Sequence, residues 1–247
     1  MTDSRKIEIT GDVVKRPAKP WTSTVHALLR HLHAAGLPVP EPLDLDESTE
    51  TVRLLPGDAG QDAWPHQLTL DGVRSAGRLL RDIHDATVDW SPPVDAVWSV
   101  PSSGGEVICH GDPQPANLVW SQGRVVGIFD WDAARPAGRI NDVAYALEWL
   151  TPFIDDQQEL LRRGFGDGPD RGNRAQALLG GYGWTEPIDV VEEVAKRQAQ
   201  AIDEVVHLGR LGHEPHATWV AEGWPEKWQS HMTVTRSLRN TVGDHLP

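Results

Sequence analysis

Two stretches decide how this chain is read: His110-Gly111-Asp112-Pro113-Gln114-Pro115-Ala116-Asn117, and Val125-Val126-Gly127-Ile128-Phe129-Asp130-Trp131-Asp132. The first follows the apolar run Val107-Ile108-Cys109 and the second carries its own, so both polar clusters fall where strand ends hand side chains to loops. Asp112 and Asn117 stand at opposite ends of one tight loop, and Asp130 comes thirteen residues after Asn117 on a hairpin return. Phosphoryl transfer to a hydroxyl needs a carboxylate to receive the proton and aim the oxygen, and hard oxygen ligands for a divalent cation. Asp112 can supply the first, and Asn117 with Asp130 the second. An isolated Asp or Asn is usually a cap or turn residue; three at these intervals, each after an apolar strand, fit that account poorly.

Working outward, residues 6–10 and 13–16 are short β-prone runs joined by Gly11-Asp12, which suits a hairpin. Residues 22–35 repeat apolar positions at helical spacing (Val25, Leu28, Leu29, Leu32), and Gly36 and Pro38 end the helix. An acidic strand edge and turn over residues 41–50 precedes a strand over residues 51–55. Pro56-Gly57-Asp58 breaks that strand and marks a lobe boundary, because strand patterns dominate before it and helical patterns after it. Asp71 is the expected cap of the next helix, and residues 91–105 are loop. Helices are predicted over residues 142–150, 154–163, 175–179, 188–208 and 216–239.

Composition narrows the partners. A formal net charge of -13 argues against nucleic acid or an anionic membrane and favours a cationic small molecule. No window approaches the roughly 18 apolar residues of a membrane span, and residues 1–6 open no leader-like segment, so a cytoplasmic protein is expected. Cys109 is the single cysteine, which excludes an internal disulfide and reads as a small packed hydrophobe. There is no G-x-x-x-x-G-K-[ST] loop, no G-x-S-x-G elbow, and only a poor zincin pattern at His213-Glu214-Pro215-His216. A phosphohydrolase built on His110, Asp112 and Asp130 lacks further histidines for a second metal.

With those residues in view, His110 through Asn117 and Ile128-Phe129-Asp130-Trp131-Asp132 resemble the H-G-D-x-x-P-x-N and I-D-W signatures of the aminoglycoside phosphotransferase and choline kinase family, relatives of the protein kinases. Leu37-Pro38-Val39-Pro40, Leu54-Leu55-Pro56-Gly57 and Asn141-Asp142-Val143-Ala144 are similar to further landmarks, and the likeness runs over about residues 13–150. The resemblance implies an α+β protein-kinase-like fold of two lobes, a small β-rich nucleotide lobe over residues 1–55 and a mainly helical catalytic lobe over residues 56–247. It implies ATP as co-substrate and Mg²⁺ as cofactor. Asp112 would be the catalytic base with His110 beside it supporting the loop, Asn117 and Asp130 the metal ligands, and Asp142 the brace of the catalytic loop. Lys15 falls where the family keeps its nucleotide-phosphate lysine, and adjacent Arg16 could play the same part. An aminoglycoside-like acceptor is the favoured substrate.

Two departures sustain an alternative. Only fourteen residues precede Lys15, and the helix over residues 22–35 offers Val25 and His26 where a Glu partner for Lys15 would stand. The alternative is a kinase-like binding or immunity protein with weak or no transfer. Acceptor carboxylates would come from Asp155, Asp156, Glu159, Glu192, Glu193 or Glu204, with Trp149 or Trp224 as stacking surfaces.

Overall fold

The structure is a computed structural model and describes residues 7–102 and 104–243. β1 (Glu8–Thr10) and β2 (Val13–Pro17) form the expected hairpin; Lys6, assigned to its first strand, lies outside the described residues. β3 (Pro42–Leu45) and β4 (Thr49–Arg53) complete an antiparallel sheet of order β1-β2-β4-β3. The Asp46 carboxylate turns the chain between them by accepting from the Ser48 and Thr49 amides. α1 (Thr22–Ala34) crosses between β2 and β3 and buries Val25, Leu28, Leu29 and Leu32. A helix this short gains its stability from that apolar stripe. The stripe enters the same core as the helices that follow, so the sheet is tied to the rest of the molecule through α1.

A 3₁₀ segment, Gly60–Leu68, leads into α2 (Leu70–Thr87). Thr69 caps α2, its hydroxyl accepting from Gly72 N at 3.0 Å, and Asp71 instead pairs with Arg124 at 2.6 Å. The cap falls two residues earlier than expected because Thr69 is extended while Asp71 already lies within the helix. α2 packs against α5 (Arg171–Tyr182) at glycines: a Cβ on Gly77 would meet Leu178 O at 2.3 Å, and one on Gly181 would meet Arg74 O at 2.1 Å.

Between α2 and α5 lie two small sheets. β5 (Val107–Cys109) pairs with β8 (Arg135–Ala137), and β6 (Leu118–Ser121) pairs with β7 (Arg124–Ile128). They are followed by α3 (Ile140–Leu150) and α4 (Gln157–Arg162). α6 (Val190–Arg210), α7 (His216–Ala221) and α8 (Trp224–Ser237) close the chain. The single helix predicted over 216–239 is two, because Gly223 takes a left-handed φ of 70° and Pro225 restarts the helix at its first turn. β8 and the Gly60–Leu68 segment had no distinct sequence signal. The architecture is an α+β protein-kinase-like fold of two lobes.

Candidate active site

The loop after β5 is held by its backbone. Asp142, at the start of α3, accepts from the His110 amide at 2.7 Å and the Gly111 amide at 2.8 Å, and also bonds His84 Nε2 at 3.1 Å. Burial pushes this carboxyl up, yet His84, His110 and the Gly111 amide outweigh it and hold its pKa at about 2. His84 is fixed in turn by Tyr182 Oη at 2.8 Å. Gly111 needs its hydrogen: φ is 87° and a Cβ would fall 2.2 Å from Ala133 O. His110 is fully buried and both ring nitrogens are engaged, Nε2 donating to Phe129 O at 2.9 Å and Nδ1 accepting from the Asp112 amide at 3.2 Å. Both ring nitrogens of the candidate residue His110 are thus engaged within the protein.

Asp112 emerges at the loop's far end. Gln114 Nε2 donates to its two oxygens at 3.2 and 3.1 Å, and Asn117 Nδ2 donates to Oδ2 at 2.9 Å. Burial raises its pKa; Tyr145, His110 and Gln114 pull the other way without cancelling the effect. A second bond from Asn117 Nδ2 to Asp112 O at 2.9 Å fixes the amide, so that Asn117 Oδ1 accepts nothing from a described residue. Asp130 is brought alongside by both sides of Phe129, whose amide donates to Asn117 O at 3.0 Å and whose carbonyl takes His110. Asp130 itself sits at φ 62°, one of two non-glycine residues in the left-handed region among the described residues. Such backbone persists where surrounding contacts over-determine it, commonly at functional sites.

The sheet contributes one cation. Arg16 donates through Nη1 to Asp130 at 3.0 Å, through Nη2 to Asp132 at 2.9 Å, and through Nε to Glu50. Burial alone would lower the guanidinium pKa, but Asp132, Asp130 and Glu50 carry it upward. Alternation along β2 puts Lys15 on the opposite face, exposed beside Glu8, Thr10 and Val13. Arg16, not Lys15, therefore reaches the Asp130 side. The carboxylate partner missing from α1 comes from β4, where Glu50 stands directly opposite Arg16; His26 of α1 reaches it at 2.9 Å.

Several contributors carried no motif. Arg197 of α6 donates to Gly111 O at 2.8 Å, pairs with Glu204 at 3.1 Å and lies 4.7 Å over the Tyr145 ring. Arg135 donates to Ala133 O at 2.8 Å and pairs with Glu204 at 2.6 Å. Asp142, Tyr145 and Glu148 recur at helical spacing of three on α3, and that periodicity from Asp142 is the signal that could have found the latter two. Cys109 is buried and its thiol is pushed well up by burial. Its convergence with His84 and Asp142 is scaffolding, since the Asp142 oxygens are committed to the loop.

The acceptor candidates are scattered. Glu159 pairs with Arg162 and Arg163, Glu192 with Arg236, Glu193 with Lys196, and Glu204 with the two buried arginines. Asp156 caps α4, and Asp155 is exposed. Trp224 stacks against Trp228 on the α7–α8 surface, whereas Trp149 sits between Tyr145 and Trp64.

The Phosphotransferase enzyme family profile matches residues 8–98 and 95–177. The chain is 34% identical over 182 residues to the trifolitoxin immunity protein of Rhizobium leguminosarum bv. trifolii, covering 70% of this chain and 68% of that one. It is 32% identical over 104 residues to an aminoglycoside 3'-phosphotransferase of Salmonella typhimurium, covering 40% of this chain and 37% of that protein. In structure it is similar to ADP-bound aminoglycoside phosphotransferase APH(2'')-Ib, with a TM-score of 0.55 at 10% identity over 96% of this chain and 93% of that one. Matched by the profile across the sheet, the loop after β5 and α3, the chain belongs to the phosphotransferase enzyme family.

Proposed function

We propose that the protein transfers the terminal phosphoryl group of ATP to a hydroxyl of a small cationic molecule, aminoglycoside-like in character, and that Asp112 is the base. The observation that carries this reading is the Asp112, Asn117 and Asp130 constellation on a loop pinned through Asp142. The acceptor hydroxyl gives its proton to Asp112 as its oxygen forms the new bond to phosphorus, and the bond from phosphorus to the departing ADP oxygen breaks. Gln114 and Asn117 hold the carboxylate in place for this. The raised pKa of Asp112 puts the acid limb of activity above the ordinary aspartate range, with rate lost as pH falls through it.

Mg²⁺ fits the donors present: the Asn117 amide is turned so that its oxygen has no described partner, and Asp130 adds a carboxylate. When bound, it would neutralise charge on the nucleotide phosphates. In this reading Arg16 is the phosphate-facing cation of the lobe over residues 1–55, Lys15 is a solvated strand residue, and residues 56–247 carry the base and the acceptor site.

A second reading is favoured by one specific feature. Arg16 already spans Asp130 and Asp132, and the chain is similar to an immunity protein, so a binding protein that does not transfer phosphate fits as well. Calorimetric titration with ATP and Mg²⁺ separates them. Saturable binding at sub-millimolar nucleotide is the expected result; no heat at millimolar nucleotide overturns the phosphotransfer reading in favour of the binding protein.

A further inference from the structure

Arg16 closes a cluster of three carboxylates. Its Nη1 donates to Asp130 Oδ1 at 3.0 Å, its Nη2 to Asp132 Oδ1 at 2.9 Å, and its Nε to Glu50. One guanidinium against three carboxylates leaves an excess of negative charge, which a divalent cation would balance. The posts of the cluster stand firmly. Glu50 is buried and also bonds His26 Nε2 at 2.9 Å. Phe129, bonded through both its amide and its carbonyl, sets Asp130 in the left-handed conformation, and the Asp132 carbonyl accepts from the Ser99 hydroxyl. Arg16 reaches these posts on a long side chain, so the guanidinium is the part that can turn.

The same Asp130 carboxylate is a candidate ligand of the divalent cation. A cation held by a carboxylate oxygen stands about 2 Å from it, and a guanidinium on that carboxylate then lies within about 4–6 Å of the cation's charge. Two like charges at that range oppose each other strongly in a half-buried place. Because Asp130 is fixed through its backbone, the opposition is relieved by release of Arg16 Nη1. The guanidinium, still bonded to Asp132 and Glu50, keeps its seat on the sheet and offers the freed N–H to another anion. A nucleotide phosphate would be such an anion; a bare cation brings none.

We propose that Arg16 is a latch on the metal site: it and the divalent cation exclude each other on Asp130, so the cation enters together with nucleotide, whose phosphates take over the guanidinium, and not ahead of it. The order of entry rests on the phosphotransfer reading; the competition for Asp130 does not. Lys15 takes no part, because it lies on the opposite face of β2. Removal of Arg16 therefore has two opposite effects, tighter binding of the bare cation and weaker binding of metal-free nucleotide.

The test is an electron-paramagnetic-resonance titration of the full chain with Mn²⁺ in the absence of nucleotide, repeated for Arg16→Gln, Arg16→Lys and Lys15→Gln, with circular dichroism as the check on folding. Arg16→Gln should bind Mn²⁺ at least ~10-fold more tightly than the parent. Arg16→Lys keeps the charge but cannot bond three carboxylates as a planar fork does, and should gain about 3-fold; it decides the matter if Arg16→Gln does not fold. Lys15→Gln removes the same charge from the opposite face and should stay within about 2-fold. Adding Asp130→Asn to the Arg16 variant should remove most of the gain, which assigns it to this carboxylate. Unchanged or weaker Mn²⁺ binding by the Arg16 variants, an equal gain from Lys15→Gln, a gain that survives Asp130→Asn in full, or no Mn²⁺ binding by any of the proteins overturns the latch. A parallel calorimetric titration with metal-free ADP separates the two readings. The predicted Mn²⁺ gains in a protein that binds no ADP support the competition for Asp130 and remove the phosphotransfer reading, whereas missing gains in a protein that binds ADP overturn the latch and leave that reading standing.

Discussion

The loop after β5 and the N-terminal sheet face each other but are built to different standards. The loop is gripped through its backbone from three directions, by Asp142 of α3, by Arg197 of α6 and by the His110 link to Phe129. The sheet reaches the same place with one side chain, Arg16, fastened by Glu50 and, through it, His26. Redundant backbone bonds fix atoms to within the tolerance that chemistry requires, whereas a single long side chain can swing away when a better partner arrives. The loop after β5 is therefore held at several backbone points, and the sheet meets Asp130 and Asp132 through one side chain.

Substitutions can break that contrast. Asp112→Ala should cost on the order of 10² to 10⁴ in turnover with the fold retained, measured by phosphate transfer and by circular dichroism. Asp142→Ala strands His84 and two backbone amides in a buried place, and should lower unfolding free energy by about 3 kcal/mol in a urea titration. Acid reports the same residue more gently. Its carboxyl titrates at about 2 in the folded chain, below its ordinary value of 3.8. Its stabilising contribution is therefore complete above pH 4 and is lost as pH falls toward 2, roughly 2 kcal/mol in all. Arg16→Gln should raise the nucleotide dissociation constant by about 10-fold and, because it leaves the buried Glu50 carboxylate with His26 alone, lower unfolding free energy by about 1–3 kcal/mol. Lys15→Ala, on the far face of β2, should change nucleotide binding by less than about 2-fold. If Lys15 proved more sensitive than Arg16, the assignment of the inward face of the sheet would be reversed.

The two halves also differed in how well they could be read. The loop carried its own labels, because Asp112, Asn117 and Asp130 stand at fixed intervals on and after two short strands. Asp142 was legible for the same reason, through the Asn141-Asp142 landmark. Choosing between Lys15 and Arg16 required the face of β2, which depends on cross-strand register: Arg16 meets Glu50, and Lys15 meets Thr51. Glu50 lay in a stretch whose acidity read as a solvated turn, yet it is 1% exposed. No local pattern distinguishes such a carboxylate from its exposed neighbours Asp44, Asp46 and Glu47. Arg197 and Glu204 sit on a long amphipathic helix where either could have been a surface charge; their burial follows from how α6 packs on α3, a contact between distant parts of the chain. The break between α7 and α8 was visible in Gly223 and Pro225, and helical periodicity across them concealed it.

The most direct test of the central claim is a coupled nucleotide-consumption assay of the parent and Asp112→Ala over a panel of hydroxylated amines, with product phosphorylation followed by mass spectrometry. Acceptor-dependent ADP release with a phosphorylated product in the parent, reduced at least 10²-fold in the variant, is the predicted result. Equal rates in the two proteins, or no phosphorylated product from the parent while ATP and Mg²⁺ bind, would contradict it.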